Sequence, residues 1–292
     1  MDGILCYDEP VVGISYEKRI VIFEMESLKT RYPDWDEPSE ENEALCKKFS
    51  MERWRGQAVS LPYRMFVPER LKTETKNAPY GALKYPLVVF LHGADVVGND
   101  NKRHLLLHDI GTIFARDDWQ KRHPCYILAP QYGREMHWSQ EEMQETMLLL
   151  ISHLLKRYDR IDEKRVYIYG YSAGGVGTLE LLKRTDLFAA AMVICGTTYH
   201  VQLDQLIRTP IWLLHAADDR IVSPNRKAGF GVEYMGSKAL YDLLKGQEGA
   251  QLFYTEYPKG ELKEKYGLNP HCAWVPAGQD EEVKEWLFLQ KR

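Results

Sequence analysis

Val166-Tyr167-Ile168-Tyr169-Gly170-Tyr171-Ser172-Ala173-Gly174-Gly175 runs from a β-branched and aromatic stretch into a serine set between glycines. The apolar run reads as a buried strand, and the glycines mark the sharp turn by which a strand passes into a helix. A serine at such a turn is held in a tight backbone conformation with its hydroxyl clear of the sheet, the arrangement of a nucleophile elbow. Five residues alone are a short pattern, so the surrounding chain decides what the turn is for.

With 292 residues and 45% hydrophobic content, the chain can bury a full core, and about 250 residues is an ordinary size for one large α/β domain. The reading divides the chain into an N-terminal extension, 1–55, and a main domain, 56–292. Lys plus Arg number 38 and Asp plus Glu 42, a formal charge of −4 with no basic block, which argues against nucleic acid as a partner. No run of about 18 apolar residues is present, and Met1-Asp2-Gly3-Ile4-Leu5-Cys6 lacks a basic, then apolar leader. Neither a membrane span nor a signal peptide is expected. The five cysteines, Cys6, Cys46, Cys125, Cys195 and Cys272, are scattered and show no metal-binding spacing. They predict reduced thiols, a cytoplasmic location and no bound metal.

From about residue 57 short apolar runs alternate with helical patterns, which predicts an α/β fold with a mostly parallel central sheet and helices on both faces. Strands are expected at 86–91, 125–129, 166–169, 188–195, 211–214 and 252–257, with continuous apolarity marking burial on both faces. Met143, Met147, Leu148, Ile151, Leu154, Leu155 and Tyr158 recur at helical spacing, with Ser139 and Glu142 as a capping-box pattern at the start. Further helices are expected from the elbow to about residue 184, over 236–245, and from 281 to the end. In the extension, 16–25 reads as an edge strand and the acidic stretch 34–43 as a solvated loop. The segment 225–237, with Gly229, Gly231 and Gly236 among aromatic residues, reads either as a lid or pocket wall or as a surface loop.

A serine hydroxyl becomes nucleophilic near neutral pH only if an imidazole takes its proton and a carboxylate orients that imidazole. Where a serine sits on this kind of elbow, the acid and then the histidine follow it in the chain. Of nine histidines only His200, His215 and His271 follow Ser172, and only His271 follows the acidic loop after the strand at 211–214. His271 is therefore the candidate base, and His215, at a strand end, reads as a core histidine. Asp218 and Asp219 stand side by side in that acidic loop, and periodicity does not choose between them. A tetrahedral intermediate also needs two backbone amides. One is expected from Ala173, after the serine, and the other from Ala94 in Leu91-His92-Gly93-Ala94-Asp95, with His92 bracing that loop.

From about Leu61 onward the chain resembles the esterases related to polyhydroxybutyrate depolymerases and feruloyl esterases, some of which are predicted peptidases. The similarity is carried by Leu61-Pro62-Tyr63-Arg64-Met65-Phe66-Val67-Pro68, by Tyr85 to Ala94 followed by Gly98-Asn99-Asp100-Asn101, and by Leu128-Ala129-Pro130-Gln131 with Trp138. The elbow, Phe188 to Ala191 with Ile194-Cys195-Gly196, and Thr209-Pro210-Ile211-Trp212 fit as well. The resemblance implies an α/β-hydrolase fold, and it selects Asp219, four residues after the histidine that ends the strand. It supports His271, because a tryptophan follows three residues later, here Trp274. Two departures stand out: the approach to His271 is a long segment, 258–270, and the proline usual after the acid loop is displaced to Pro224.

These readings converge on an expected serine ester hydrolase that needs no cofactor. The resemblance points to acyl groups of acetyl or feruloyl type on a small-molecule or oligosaccharide ester. Trp138, Tyr171, Tyr199 and Trp274 lie near motif ends and are candidates to line the substrate site. A serine peptidase and a non-catalytic binding module on the same scaffold are the alternatives, and oligomeric state is not encoded in any pattern seen here.

Overall fold

The computed structural model describes residues 38–56, 59–73, 83–199, 201–226 and 234–292. Ten strands are present among them: β1 (Ser50–Arg55), β2 (Ser60–Phe66), β3 (Tyr85–Leu91), β4 (Tyr126–Pro130), β5 (Ile161–Tyr171), β6 (Ala190–Ile194), β7 (Thr197–Tyr199), β8 (Ile211–Ala216), β9 (Tyr234–Gly236) and β10 (Leu252–Tyr257). Eight form one sheet in the order β1-β2-β4-β3-β5-β6-β8-β10, while β7 and β9 pair as a separate ribbon. Pairing is parallel from β4 across to β10, and β1 and β2 add antiparallel at one side.

The strand order positions the site. From β3 the chain goes to β4 on one side, then returns to place β5 on the other side and winds onward to β6, β8 and β10. The direction of winding therefore reverses between β3 and β5, and the carboxyl ends of strands at such a reversal are where the ligand crevice lies in sheets of this kind.

Strand side chains alternate between two cores as the pleat requires. Leu87, Val89 and Leu91 of β3 and Val166 and Ile168 of β5 face one core. Val88 and Phe90, with Tyr167, Tyr169 and Tyr171, face the other. Helices cover both: the described helices are α1 (Glu40–Cys46), α2 (Glu69–Thr73), α3 (Arg103–Leu106), α4 (Asp117–Arg122), α5 (Glu141–Arg157), α6 (Ala173–Leu182), α7 (Ser237–Leu244), α8 (Glu261–Tyr266), α9 (Trp274–Gln279) and α10 (Glu281–Leu289). The first core takes α5, α6 and α7 and the second takes α1, α4, α9 and α10. Buried leucines such as Leu150, Leu154, Leu240 and Leu287 each contribute about 1.5–3 kcal/mol relative to exposure. None of the helices among the described residues is long and apolar enough to cross a membrane, and Cys46, Cys125, Cys195 and Cys272 are buried free thiols.

Several expectations are corrected. Residues 40–43 are not loop but the first turn of α1. The Ser39 hydroxyl accepts from the Asn42 amide at 3.1 Å, the acidic side chains sit where the helix dipole favours them, and Leu45 and Cys46 bury in the second core. Asn42 fastens α1 to the main domain by donating to Asp109 at 2.8 Å and accepting from Thr112 at 2.7 Å. Strand β10 is an edge strand with mixed exposure rather than a doubly buried one, because nothing among the described residues pairs beyond it. The N-cap position of α5 falls on Gln140, whose side chain accepts from the His137 amide at 2.8 Å rather than from the helix, and Ser139 engages His137 at 2.8 Å. The strand expected at 16–25 and residues 34–37 lie outside the described residues. So do 227–233 of the expected lid segment, whose flank Tyr234–Gly236 forms β9.

The ribbon of β7 and β9 is held down by a buried ion pair. Lys183 donates to Glu180 and to the Tyr199 carbonyl, each at 2.9 Å, and Glu180 accepts from the Thr198 hydroxyl at 2.7 Å and the Tyr199 amide at 3.0 Å. Three donors converge on Glu180 Oε1, and such pairing is the condition for burying charge without a large penalty.

The passage from β5 to α6 leaves no room for side chains. A Cβ on Gly170 would stand 2.4 Å from the Gly174 carbonyl oxygen, and one on Gly174 would stand 1.9 Å from the Leu91 carbonyl oxygen. Both obstacles are backbone, which cannot swing aside. Gly174→Ala is expected to destabilise the protein by more than about 3 kcal/mol or to prevent folding, measured by urea denaturation. Wild-type stability in that variant would contradict the packing described.

Candidate active site

Ser172 sits between β5 and α6 with φ 52° and ψ −120°, in the left-handed half of backbone space that a serine adopts only under constraint. Its amide donates to the Ile194 carbonyl at 2.9 Å and its own carbonyl accepts from Val176 at 3.1 Å, so the turn is locked from both sides. The hydroxyl lies 2.9 Å from His271 Nε2. His271 is fully buried in a short turn, Pro270–Cys272, whose cap Asn269 accepts from the His271 amide at 2.9 Å.

His271 Nδ1 lies 2.7 Å from Asp219 Oδ2. A carboxylate can only accept, so Nδ1 carries the hydrogen and Nε2 is left to accept from the serine hydroxyl. Asp219 is itself over-determined: Oδ1 accepts from the Ile221 and Val222 amides at 2.9 and 3.0 Å, and Oδ2 also faces His215 Nε2 at 3.1 Å. Burial pushes this carboxyl up, but the His271 charge and hydrogen bonds from His215 and His271 prevail and hold it well below the usual carboxylate range. Asp218 does different work: its carboxylate accepts from the Gly260 amide at 3.1 Å and anchors the segment leading to His271. That segment, unusual in sequence, folds into α8 with Leu262 buried.

His215 is buried, as its strand-end position suggests, yet its ring bears directly on the acid. Its Nε2 donates to the Val222 carbonyl at 2.8 Å, and the Ser237 hydroxyl donates to Nδ1 at 2.6 Å. This support for Asp219 was missed in the sequence, although a histidine four residues before an acid at a strand end is a signal that could have prompted it.

Ala94 opens a short 3-10 turn, Ala94–Val96, and Ala173 opens α6. The first amides of a helix have no acceptor within it, so both are available to an oxygen in the crevice. The two turns are pressed together by the contact of Gly174 with the Leu91 and His92 carbonyls. His92 braces this loop: its Nδ1 donates to the Gly93 carbonyl at 2.7 Å and its Nε2 accepts from the Tyr132 amide at 3.3 Å. Burial pushes His92 down to about 4 and its buried neighbour His104 down to about 3, so both are neutral near pH 7.

The aromatic candidates separate. Trp138 is buried with its indole N–H on the His92 carbonyl at 2.9 Å, Tyr171 is buried with its hydroxyl donating to Asp95 at 2.8 Å, and Trp274 is buried against Tyr171 with ring centroids 4.6 Å apart. These three are packed inside the protein and present no face to a substrate, which corrects the expectation made for them. Tyr199 is half-buried on the β7 ribbon, with its hydroxyl 3.5 Å from that of Ser139 and its ring edge-on to Tyr234 at 5.9 Å.

Comparison with known proteins fits this geometry. Residues 133–230 match the model of the prolyl oligopeptidase family, about a third of the chain. A solved structure described as a thermostable esterase is 35% identical with a TM-score of 0.74, covering 85% of this chain and 64% of its own. The chain has the α/β-hydrolase fold, with an esterase and peptidases among the structures it is similar to. Wider members of this fold include an acylaminoacyl peptidase of Pyrococcus horikoshii, 16% identical with a TM-score of 0.58, which covers 87% of this chain and 44% of its own. Est1E from Butyrivibrio proteoclasticus, 14% identical with a TM-score of 0.52, covers 81% of this chain and 97% of its own. The chain thus spans less than two thirds of the thermostable esterase and less than half of the Pyrococcus peptidase. A search of curated proteins finds no match.

The buried imidazoles shape the pH response of the fold. The folded-state values of His92 and His104 lie below the ordinary 6.5, so as pH falls the unfolded chain takes up these protons first. Their contribution is fully present above 6.5 and is lost as pH falls toward about 4 and about 3. The urea midpoint is expected to decline from pH 6.5 toward pH 5.5, before most carboxylates titrate, and His104→Leu is expected to flatten that slope. A midpoint constant over this interval would count against the neutral buried state.

Proposed function

We propose that the chain is a serine carboxylester hydrolase that works through an acyl-enzyme. The observation that carries this reading is the unbroken relay from Ser172 Oγ to His271 to Asp219, at 2.9 and 2.7 Å, on a backbone turn that holds the hydroxyl in the crevice. Ser172 Oγ attacks the ester carbonyl carbon while His271 Nε2 takes its proton, and the ionised Asp219 stabilises the imidazolium. The carbonyl oxygen becomes negative and is held by the Ala94 and Ala173 amides. Collapse breaks the bond to the alcohol, which leaves with the proton from His271. Water then attacks the acyl-serine by the same route in reverse, and the carboxylic acid departs.

The substrate proposed is an acyl group of acetyl or feruloyl type on a carbohydrate. What supports it is the resemblance of the strand, elbow and oxyanion segments to esterases of that kind, with Tyr199 as the aromatic face on the ribbon. An intracellular site of action is part of the same proposal. A peptidase reading has its own support in the match to the prolyl oligopeptidase family over 133–230, because ester and amide cleavage use the same groups.

Ser172→Ala is expected to abolish turnover of p-nitrophenyl acetate with an unchanged thermal transition, and Asp219→Asn to lower kcat by about 10⁴-fold. Retained turnover in the Ser172 variant would overturn the assignment. Exposure of the wild type to a fluorophosphonate, read by intact mass, is expected to add one adduct at Ser172; no adduct would favour a binding module. Acyl-sugar and peptide panels then separate esterase from peptidase, with faster cleavage of the acyl sugars expected.

A further inference from the structure

We infer that Asp95, Tyr171 and His108 are positioning residues that hold the two oxyanion amides in register, an inference that rests on the reading of Ser172 as the nucleophile. Asp95 directly follows Ala94, and Tyr171 directly precedes Ser172. The Asp95 carboxylate joins them: its Oδ1 accepts from the Tyr171 hydroxyl at 2.8 Å and its Oδ2 pairs with His108 Nε2. One carboxylate therefore joins Ala94–Asp95 to Tyr171–Ser172–Ala173, and the contact of Gly174 with the Leu91 and His92 carbonyls closes the ring. Both amides proposed to hold the oxyanion are members of that ring.

The pair is built in rather than incidental. The Asp95 side chain is 2% exposed and that of His108 9%. Burial pushes the Asp95 carboxyl up, but the His108 charge and the hydrogen bonds from His108 and Tyr171 prevail and keep it below the usual range. Gly93 makes the closure possible, since a Cβ there would stand 2.4 Å from the Tyr171 ring and 2.6 Å from Asp95 Oδ1. The ring also reaches the third loop. Trp274 packs on Tyr171 at 4.6 Å and on His108 at 5.5 Å, and meets His271 edge-on at 5.6 Å.

A negative carboxylate beside an oxyanion site would oppose the charge that develops there, so its presence calls for an explanation in geometry. An apolar contact between the loop after β3 and the Tyr171 ring would allow the loop to slide. A hydroxyl and an imidazole fixed on the two oxygens of one carboxylate do not allow it. The consequence belongs to the transition state: a displaced Ala94 amide weakens the hold on the oxyanion and leaves ground-state substrate binding unaltered.

The test uses the full-length chain with p-nitrophenyl acetate as substrate and a boronic acid as the tetrahedral mimic. Tyr171→Phe keeps the ring and removes only the hydroxyl. It is expected to lower kcat about tenfold, with KM within about twofold and the boronate affinity falling by the same factor as kcat. Asp95→Ala is expected to lose about 100-fold in kcat, and adding Tyr171→Phe to it is expected to cost less than Tyr171→Phe does alone, because the hydroxyl then has only its backbone hydrogen bond with Gly93 to lose. Wild-type kcat in folded Tyr171→Phe and Asp95→Asn would overturn the inference, as would a fall in kcat without loss of boronate affinity. If Asp95→Ala fails to fold, Tyr171→Phe decides alone. Wild-type protein that neither turns over the ester nor takes a fluorophosphonate at Ser172 would remove the reading beneath the inference, an outcome distinct from normal kcat in the variants.

Discussion

The contact between Gly174 and the Leu91 carbonyl governs the rest of the molecule. Two backbones, one leaving β3 and one turning from β5 into α6, approach so closely that only hydrogen fits on the glycine Cα. That approach brings together the amides of Ala94 and Ala173, which come from segments distant in sequence, and forces Ser172 into its left-handed conformation. The strain is carried by a sheet whose central strands are buried on both faces, so the turn cannot relax without opening the core. The scaffold is rigid because the site demands a backbone geometry that the local sequence would not hold unaided.

Electrostatics follow the same logic of over-determination. Asp219 receives two amides and faces two imidazoles, while His92, at the base of the neighbouring loop, is kept neutral by burial and uses both nitrogens in hydrogen bonds. Charge is retained where it can orient His271 and removed where it would only burden the core. The distinction between Asp218 and Asp219 is of this kind. Adjacent carboxylates diverge because one meets the end of the imidazole relay and the other meets a loop amide.

The central sheet was readable because parallel strands covered on both faces must be continuously apolar, and 86–91, 166–169 and 211–214 are. The elbow and the order of acid and histidine were readable because chain order constrains which loops meet at the carboxyl ends of strands. Where the reading went astray, tertiary packing had overridden local character. Residues 40–43 look like a polar loop, yet Leu45 and Cys46 behind them have a core to enter. Trp138, Tyr171 and Trp274 look like a substrate platform, but a one-dimensional pattern cannot tell an aromatic ring that lines a crevice from one that holds its wall. The support of Asp219 by His215 and Ser237 depends on side chains from β8 and α7 meeting in space.

The long approach to His271 carries a consequence of its own. Its excursion is pinned at its start by the bond from the Gly260 amide to Asp218, next to the acid itself, and near its end by the Asn269 cap. The entropy of closing the excursion is therefore met at these two anchors, and further residues between them would add little, since closure entropy grows only with the logarithm of length. Helix α8 occupies a stretch whose length is decoupled from the position of the imidazole. In a lineage of such chains this is where insertions can accumulate, grow into new surface and alter what approaches the crevice, while the proton relay beneath keeps its spacing.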